Sequence, residues 1–100
     1  MQLQPNTYEL SLEADNDIQE IYAFTAAKFG IDQAIRYLLG FEDLFNQLCL
    51  QPHTGRHRGE IKEGLRSIGY VSHVVFYRVM DTRIRIVRVL HSSRDMSKFL

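Results

Sequence analysis

The side chains best suited to chemistry lie near the end of the chain, where arginines alternate with apolar residues. The segment Arg83–His91 contains Arg83, Arg85 and Arg88 and ends in a histidine. A guanidinium pairs bidentately with a carboxylate or a phosphate and stacks on aromatic rings, so this spacing favours a surface that recognises an acidic partner. Histidine side chains in general can serve as general acids near neutral pH, although a histidine at a strand end more often donates to a backbone carbonyl.

Other reactive groupings in the chain are weaker. His53 and His57 are four residues apart, but they lie in a segment rich in proline and glycine, and no third ligand has a compatible spacing. We therefore expect no metal site. Cys49 is the only cysteine, and we expect it to be a buried apolar side chain rather than a nucleophile. The sequence contains no glycine-rich phosphate loop, no Ser-His-Asp arrangement and no Cys-x-x-Cys pair.

The charges are divided unequally between the two halves of the chain. Residues 1–50 carry eight acidic and two basic side chains, and residues 51–100 carry ten basic and four acidic ones, so opposite net charges of six cancel to zero. Such a chain can hold its halves together and can steer an acidic partner to its basic half. With 100 residues, 45% of them hydrophobic, and neither a long apolar run nor a leader pattern, the sequence predicts one domain in the cytoplasm.

Apolar periodicity predicts the elements that must position these side chains. Alternation predicts a strand over Tyr8–Leu12, and helical spacing predicts one helix from Glu13 to a cap at Gly30 and a second helix capped by Asp32. Segments rich in valine, isoleucine and aromatic residues predict three further strands: Leu65–Ile68, Ser72–Val79 and Arg83–His91. The order βααβββ indicates an α+β fold, a small antiparallel-dominated sheet with an N-terminal helix hairpin packed on one face, over residues 1–100.

The same pattern predicts which side chains are buried and where the chain turns. The expected helix faces are Ala14, Ile18, Ile21, Tyr22, Thr25 and Phe29 in the first helix, and Ala34, Leu38, Phe41, Phe45 and Leu48 in the second. Pro52–Gly59 is expected to be a basic loop, Gly69-Tyr70 a break between strands and Met80–Thr82 a hairpin turn. Alternation is lost after Ile86, which predicts a bulge or a strand covered on both faces.

Taken together, these segments resemble the ParE toxins of the RelE/ParE superfamily over nearly the whole chain. The resemblance rests on five motifs: Ser11-x-x-Ala14-x-x-Asp17-Ile18-x-x-Ile21, Pro52-x-x-Gly55, Gly64-Leu65-Arg66-Ser67, Val75-Phe76-Tyr77-Arg78 and the run from Ile84 to Asp95. It implies the toxin of a bacterial type II toxin–antitoxin pair that uses no cofactor. ParE-like members poison DNA gyrase, and a ParD-like antitoxin neutralises them by laying a flexible C-terminal segment across the toxin, within a hetero-oligomeric complex.

The resemblance also implies an alternative activity, because RelE-like relatives cut mRNA on the ribosome. Arg66 and His91 match positions at which those enzymes often carry functional groups, and Glu60 or Glu63 could be a base. We favour gyrase, because the chain has no net positive charge, the second helix carries only Arg36 as a base, and the chain does not end in a tyrosine. A non-toxic relative that only binds an antitoxin is a third possibility.

The expected partner-binding residues fall into two groups. For the antitoxin we expect exposed residues of the helix hairpin and last strand, namely Tyr22, Phe24, Arg83 and Val87. For the toxic surface we expect Arg66, Arg85, Arg88, His91, Arg94 and Phe99, acting by recognition of gyrase rather than by sequence-specific DNA binding. Phe24 is expected to fill the space between helix and sheet, with partner contact as the alternative. Glutamate at Arg85 and Arg88 is expected to weaken antitoxin binding without unfolding the domain.

Overall fold

In a computed structural model, residues 7–100 form five strands and a helix hairpin. Residues 1–6, the start of the predicted domain, lie outside the described residues. The elements are β1 Thr7–Leu10, α1 Leu12–Phe29, α2 Ile31–Leu50, β2 Arg56–His57, β3 Leu65–Tyr70, β4 His73–Val79, β5 Arg83–His91 and a 3-10 turn Met96–Lys98. The predicted α+β order is confirmed, and the short strand β2 is an addition within the segment predicted to be a loop.

The strands form a single mixed sheet in the order β1-β5-β4-β3-β2. β1 is parallel to β5, and all the other neighbours are antiparallel, so the predicted antiparallel-dominated sheet is confirmed with one parallel edge. The first strand of the chain therefore pairs with the last one. This pairing brings the acidic N-terminal half of the chain against the arginine-rich strand β5.

Ser11 begins the helix hairpin, and Gly30 forms the connection between its two helices. The Ser11 side chain caps α1 by accepting a hydrogen bond from the Ala14 N–H at 3.0 Å. Gly30 has φ +95°, which favours glycine, and its N–H donates to the Ala26 carbonyl as α1 ends. The same glycine precedes α2, so the prediction of Asp32 as the cap was wrong, and Asp32 lies in the first turn.

The main core lies between the helix hairpin and the sheet. Its buried apolar residues are Ala14, Ile21, Phe41, Phe45, Leu48, Cys49, Val75, Tyr77, Ile84, Ile86 and Val89. The predicted seam of α2 is confirmed, with Leu38 only partly buried, whereas Phe29 of α1 is exposed. Burial raises the pKa of the Cys49 thiol, which agrees with the expected inert cysteine.

The opposite side of the sheet, here called the outer face, has a smaller apolar cluster. Leu65, Phe76 and Leu90 are buried there beneath Ile61, Met96 and Leu100. The sheet is thus covered on both faces near its centre, as the loss of alternation in β5 predicted.

A β-bulge in β5 changes which side chains face the helices. Phe76 pairs with Arg88 and Tyr77 with Ile86, so Val87 is the extra residue. Ser11 anchors this bulge, because its hydroxyl donates to the Val87 carbonyl at 2.7 Å. The predicted bulge is confirmed, and it shifts the alternation so that Val89 packs into the main core.

The turn between β3 and β4 lies later in the chain than predicted. Gly69 and Tyr70 belong to β3 rather than to a break, and the turn is formed by Val71 and Ser72. Val71 has φ +54°, an uncommon conformation for a β-branched residue. The strain is confined to a residue that is 81% exposed.

Candidate partner-binding groove

A groove of about 820 Å³ lies between α1, the first turns of α2 and the adjoining ends of β4 and β5. We call it the helix-side groove. Its lining comprises Asp17, Glu20, Ile21, Phe24, Thr25, Phe29, Gln33, Tyr37, Val71–His73, Arg88–His91, Ser93 and Arg94. The volume lies in the range of ordinary ligand sites, and the lining combines apolar walls with convergent polar groups.

The rim of the helix-side groove is apolar and open to solvent. Phe24, Phe29 and Val71 are 64%, 63% and 81% exposed. Lys28 lies near both phenylalanine rings, with Nζ 5.5 and 6.0 Å from their centroids. A contiguous set of exposed apolar side chains marks an interaction site more often than scattered ones do. The positive φ of Val71 adds to this argument, because strained residues cluster at binding sites.

The floor of the groove holds two histidines and a tyrosine. Tyr37 Oη and His73 Nδ1 are 2.7 Å apart, and the rings of His73 and His91 lie 5.3 Å apart, edge to face. Ser93 donates through its backbone N–H to His91 Nδ1 at 3.1 Å. Since an N–H can only donate, the neutral His91 ring carries its proton on Nε2. Burial, followed by the neighbouring His91, lowers the pKa of His73, which keeps that ring neutral at pH 7.

A buried ion pair closes one side of the groove. Arg88 Nε and Nη2 donate to the two carboxylate oxygens of Asp17 at 2.8 and 2.9 Å, and Asp17 also accepts the Val89 N–H at 2.9 Å. The side chains are only 19% and 9% exposed. The bidentate pair raises the pKa of Arg88 and ties α1 to the exposed edge of β5 beyond the end of β1.

The end of the chain lies beside this ion pair. The Phe99 ring lies 5.7 Å from the Arg88 guanidinium and 4.9 Å from that of Arg94, and its carbonyl accepts from Arg88 Nη1 at 3.2 Å. The 3-10 turn before Phe99 is closed by Asp95, whose carboxylate accepts from the Ser97 N–H. The segment after β5 therefore places the Phe99 ring next to the guanidinium groups of Arg88 and Arg94, beside the groove.

The structure separates the predicted site residues into four places. Five lie in the helix-side groove or beside it, and these are Phe24, Arg88, His91, Arg94 and Phe99. Arg83, Arg85 and Val87 lie on the outer face. Arg66 packs against the loop after α2 through the Gly55 carbonyl, and Tyr22 is partly buried on α1 outside the groove lining. Their roles in binding stay predictions.

Two expectations about these side chains require correction. Phe24 is exposed, so it does not fill the space between helix and sheet. Arg88 is not an open cation like Arg85, because the Asp17 carboxylate of α1 binds its guanidinium in a bidentate pair. A glutamate at position 88 would place two carboxylates together, so the expected double variant would lose stability. Arg85 alone is the suitable test of the outer face.

The residues expected for RNA cleavage are not brought together. Arg66 pairs with Tyr77 and His91 with His73, which separates them by about 13 Å along the strands. Glu60 is ion-paired with Arg58 at 2.7 Å, and this contact lowers its pKa and weakens it as a base.

Several groove residues were missed by the sequence reasoning. Asp17 lies between Ala14 and Ile21 on the buried face of α1, and an acid at that phase is a sign of a buried partner. His73 follows the two-residue alternation of Val75 and Tyr77, which places it on the helix side. The contact with Tyr37 joins residues 36 positions apart, so no local pattern indicates it.

The described residues contain neither a candidate metal site nor a candidate membrane-spanning helix. Among residues 7–100, no group of three or more His, Cys, Asp or Glu side chains could hold a metal ion. In the same region, neither helix is long and apolar enough to cross a membrane.

Comparison with known proteins identifies the family. Residues 8–96 match the model of the ParE toxin of type II toxin–antitoxin systems, parDE. Toxin ParE1 of Mycobacterium tuberculosis H37Rv is 36% identical over 93% of this chain and 96% of its own length. Toxin ParE1 of Caulobacter vibrioides is 34% identical over 88% and 91%.

Two solved structures share the fold. One is the chromosomal ParDE toxin–antitoxin system of P. aeruginosa, with a TM-score of 0.73 and 18% identity over 85% of this chain and 94% of that chain. The other is the RelBE2 toxin–antitoxin complex of Mycobacterium tuberculosis, with a TM-score of 0.59 and 22% identity over 87% and 98%. The family match and the two ParE1 relatives carry the assignment: the chain belongs to the ParE toxin family of type II toxin–antitoxin systems.

Proposed function

We propose that this toxin poisons DNA gyrase, blocks replication in the bacterial cytoplasm, and is neutralised by a ParD-like antitoxin bound in the helix-side groove. The observation that carries the proposal is the match to ParE1 toxins along nearly the full chain, combined with an open groove of amphipathic lining. The neutral net charge also fits a protein target better than ribosomal RNA.

The helix-side groove suits a peptide segment that is apolar on one side. Phe24, Phe29 and Val71 offer aromatic and aliphatic anchors at the rim. In the same lining, His91 and Arg94 offer donors for carbonyl or carboxylate oxygens. An antitoxin segment that folds on binding would bury these anchors and pair with these donors. The buried anchors would supply most of the affinity, and the hydrogen bonds would fix the orientation of the segment.

The positions of Arg66 and His91, the residues expected for RNA cleavage, favour gyrase over ribosomal RNA as the target. General acid–base cleavage needs its groups within hydrogen-bond reach of one phosphodiester. Arg66 and His91 lie at different ends of the sheet, and Arg66 is occupied by the Gly55 carbonyl at 2.8 Å. Recognition of a protein surface makes no such demand on their distance.

The test is a supercoiling assay with purified gyrase, relaxed plasmid and the full-length protein, with and without the ParD-like antitoxin. We expect loss of supercoiling and accumulation of linear, protein-linked DNA, both reversed by the antitoxin. Full gyrase activity at toxin concentrations that arrest cells would refute the gyrase target. In that case, the level of translated mRNA in arrested cells, compared with that in an Arg66→Gln/His91→Gln variant, tests the RNase alternative.

Overexpression separates these activities from a toxin relative that only binds its antitoxin. Loss of colonies with filamentation and a DNA-damage response is expected for gyrase poisoning. Unchanged colony counts, with the protein folded and abundant, would leave antitoxin binding as the function.

A further inference from the structure

Three arginines form a row on the outer face of the sheet, at the end away from the helix-side groove. Arg85 lies directly opposite Arg78 on β4 and directly opposite Glu9 on β1. Arg83 precedes Arg85 by two residues on β5 and so shares its face. We call Arg78, Arg83 and Arg85 the arginine row.

The arginine row is only partly neutralised. The Glu9 carboxylate lies 2.9 Å from Arg85 Nη1 and 3.1 Å from Arg83 Nε, so one acid serves two arginines. Within residues 7–100, Arg78 forms no ion pair, and neither does the nearby Asp81 in the turn after β4. Like charges directly opposite on neighbouring strands destabilise a sheet. Folding therefore does not explain the facing arginines, whereas binding of an anion does.

The surroundings of the arginine row favour phosphates over an acidic peptide. A peptide interface usually has an apolar anchor at its centre. On the outer face, Leu65, Phe76 and Leu90 are at most 3% exposed, and the apolar side chains that cover this cluster are themselves partly buried. By contrast, Arg83 and Arg85 are 44% and 42% exposed. Cations that are more exposed than the apolar side chains around them suit contacts to a nucleic-acid backbone.

The Arg78 side chain lies beside Gly64, whose φ of +78° favours glycine, just before β3. The Arg78 Nη1 atom lies 3.4 Å from where a Cβ on Gly64 would stand, so the guanidinium extends toward the β3 side of the face. Together with Arg83 and Arg85 on β5, the cations thus span neighbouring strands, which lie about 4.8 Å apart. This extended arrangement can contact successive phosphates rather than a single one.

We propose that the arginine row binds the backbone phosphates of duplex DNA, without reading its sequence. The proposal rests on the proposed gyrase function only for its role in the cell. There, the toxin would contact the phosphates of the DNA that gyrase holds. The binding itself is a property of the toxin alone and can be measured without gyrase.

The test is fluorescence anisotropy with the full-length toxin and a labelled duplex of about 20 base pairs, at several salt concentrations between about 25 and 150 mM. We expect weak binding whose logarithm falls with log salt by about 0.9 for each phosphate contacted. The triple variant Arg78→Gln/Arg83→Gln/Arg85→Gln should lose about ten-fold or more of the affinity at the lowest salt. Each single variant should reduce the salt slope by about 1.

Arg36→Gln is the matched control, because Arg36 is an exposed arginine of α2 on the other side of the sheet. It should leave DNA binding unchanged, and thermal melts should show that all variants are folded. Wild-type toxin that does not bind DNA at the lowest salt would overturn the proposal. So would a triple variant that binds DNA normally, or one that loses the antitoxin instead, which would make the row a peptide site. DNA binding without gyrase inhibition would refute the gyrase target and leave the phosphate site intact.

Discussion

Two carboxylate–arginine contacts, one on each side of the sheet, use the same chemistry in different surroundings. Asp17 and Arg88 form a bidentate pair beside the helix-side groove and are 9% and 19% exposed. Glu9 contacts Arg83 and Arg85 on the outer face, where all three side chains are 37% to 44% exposed. In both cases an acid from the N-terminal half meets arginines from the C-terminal half.

The two contacts differ in how strongly water and salt compete with each ion pair. A buried pair has no alternative partner, so breaking it leaves an uncompensated charge and the contact holds the fold together. An exposed pair is weakened by water and salt, so its arginines can exchange a carboxylate for another anion. The helix side thus uses its arginine for stability, and the outer face keeps its arginines available for binding.

The largest expected effect comes from breaking the buried pair. Arg88→Met should lower the free energy of unfolding by about 3 kcal/mol, because Asp17 stays buried without a countercharge. Arg85→Met, the matched change on the outer face, should cost far less. Denaturant unfolding of both variants checks this contrast. Adding Asp17→Asn to Arg88→Met should recover part of the loss, and equal stability of the two arginine variants would contradict the distinction between the faces.

The next effect concerns binding at the groove rim. Phe24→Ser should weaken antitoxin binding roughly 30-fold, equivalent to about 2 kcal/mol, because an exposed aromatic anchor is lost. Its thermal stability should be nearly unchanged. Calorimetry with the ParD-like antitoxin measures the affinity, with Leu12→Ser as control, since Leu12 is 86% exposed at the other end of α1. Equal affinities for the two variants would remove Phe24 from the interface.

A smaller effect is expected from acidification of the groove floor. The pKa of His73 is lowered by burial, so between that value and the ordinary 6.5 the unfolded chain binds more protons than the folded one. The contribution of His73 is fully present above pH 6.5 and decreases as the pH falls toward the folded pKa. Melting temperatures should therefore drop in this window for the wild type and less for His73→Gln. The matched histidine variant is His57→Gln, in the exposed strand β2.

The smallest effect is expected at Glu9. Hydrogen bonds from Arg85 and then Arg83 hold the pKa of its carboxyl below the ordinary value, so it is ionised at neutral pH. Glu9→Gln removes this charge from an exposed position and should change stability only slightly. It should strengthen DNA binding in the anisotropy assay, because it frees two arginines. Weaker DNA binding after Glu9→Gln would indicate that the carboxylate positions the arginines rather than competing with phosphate.

Local patterns were sufficient to predict much of the fold. The bounds of β5, the seam of α2 from Ala34 to Leu48 and the cap at Gly30 follow from periodicity and glycine conformation, which neighbouring residues determine. The groove was harder to predict, because its decisive contact joins Asp17 and Arg88, 71 positions apart. Arg88 reaches Asp17 of α1 beyond the end of β1, where the edge of β5 is uncovered, and the alternation within β5 does not indicate this contact.

The bulge at Val87 also allows one strand to serve two surfaces that can change separately. Before the bulge, Arg83 and Arg85 project from the outer face, and beyond it Val89 and His91 project toward the helices. A substitution of Arg83 or Arg85 therefore alters the outer face, and a substitution of His91 alters the helix-side groove, while Ile84, Ile86 and Leu90 stay in the two cores. Antitoxin specificity could therefore diverge between related toxins through the second half of β5 while contacts made by the first half stay the same. Deletion of Val87 would end this separation, because every side chain of β5 after position 87 would move to the opposite face of the sheet.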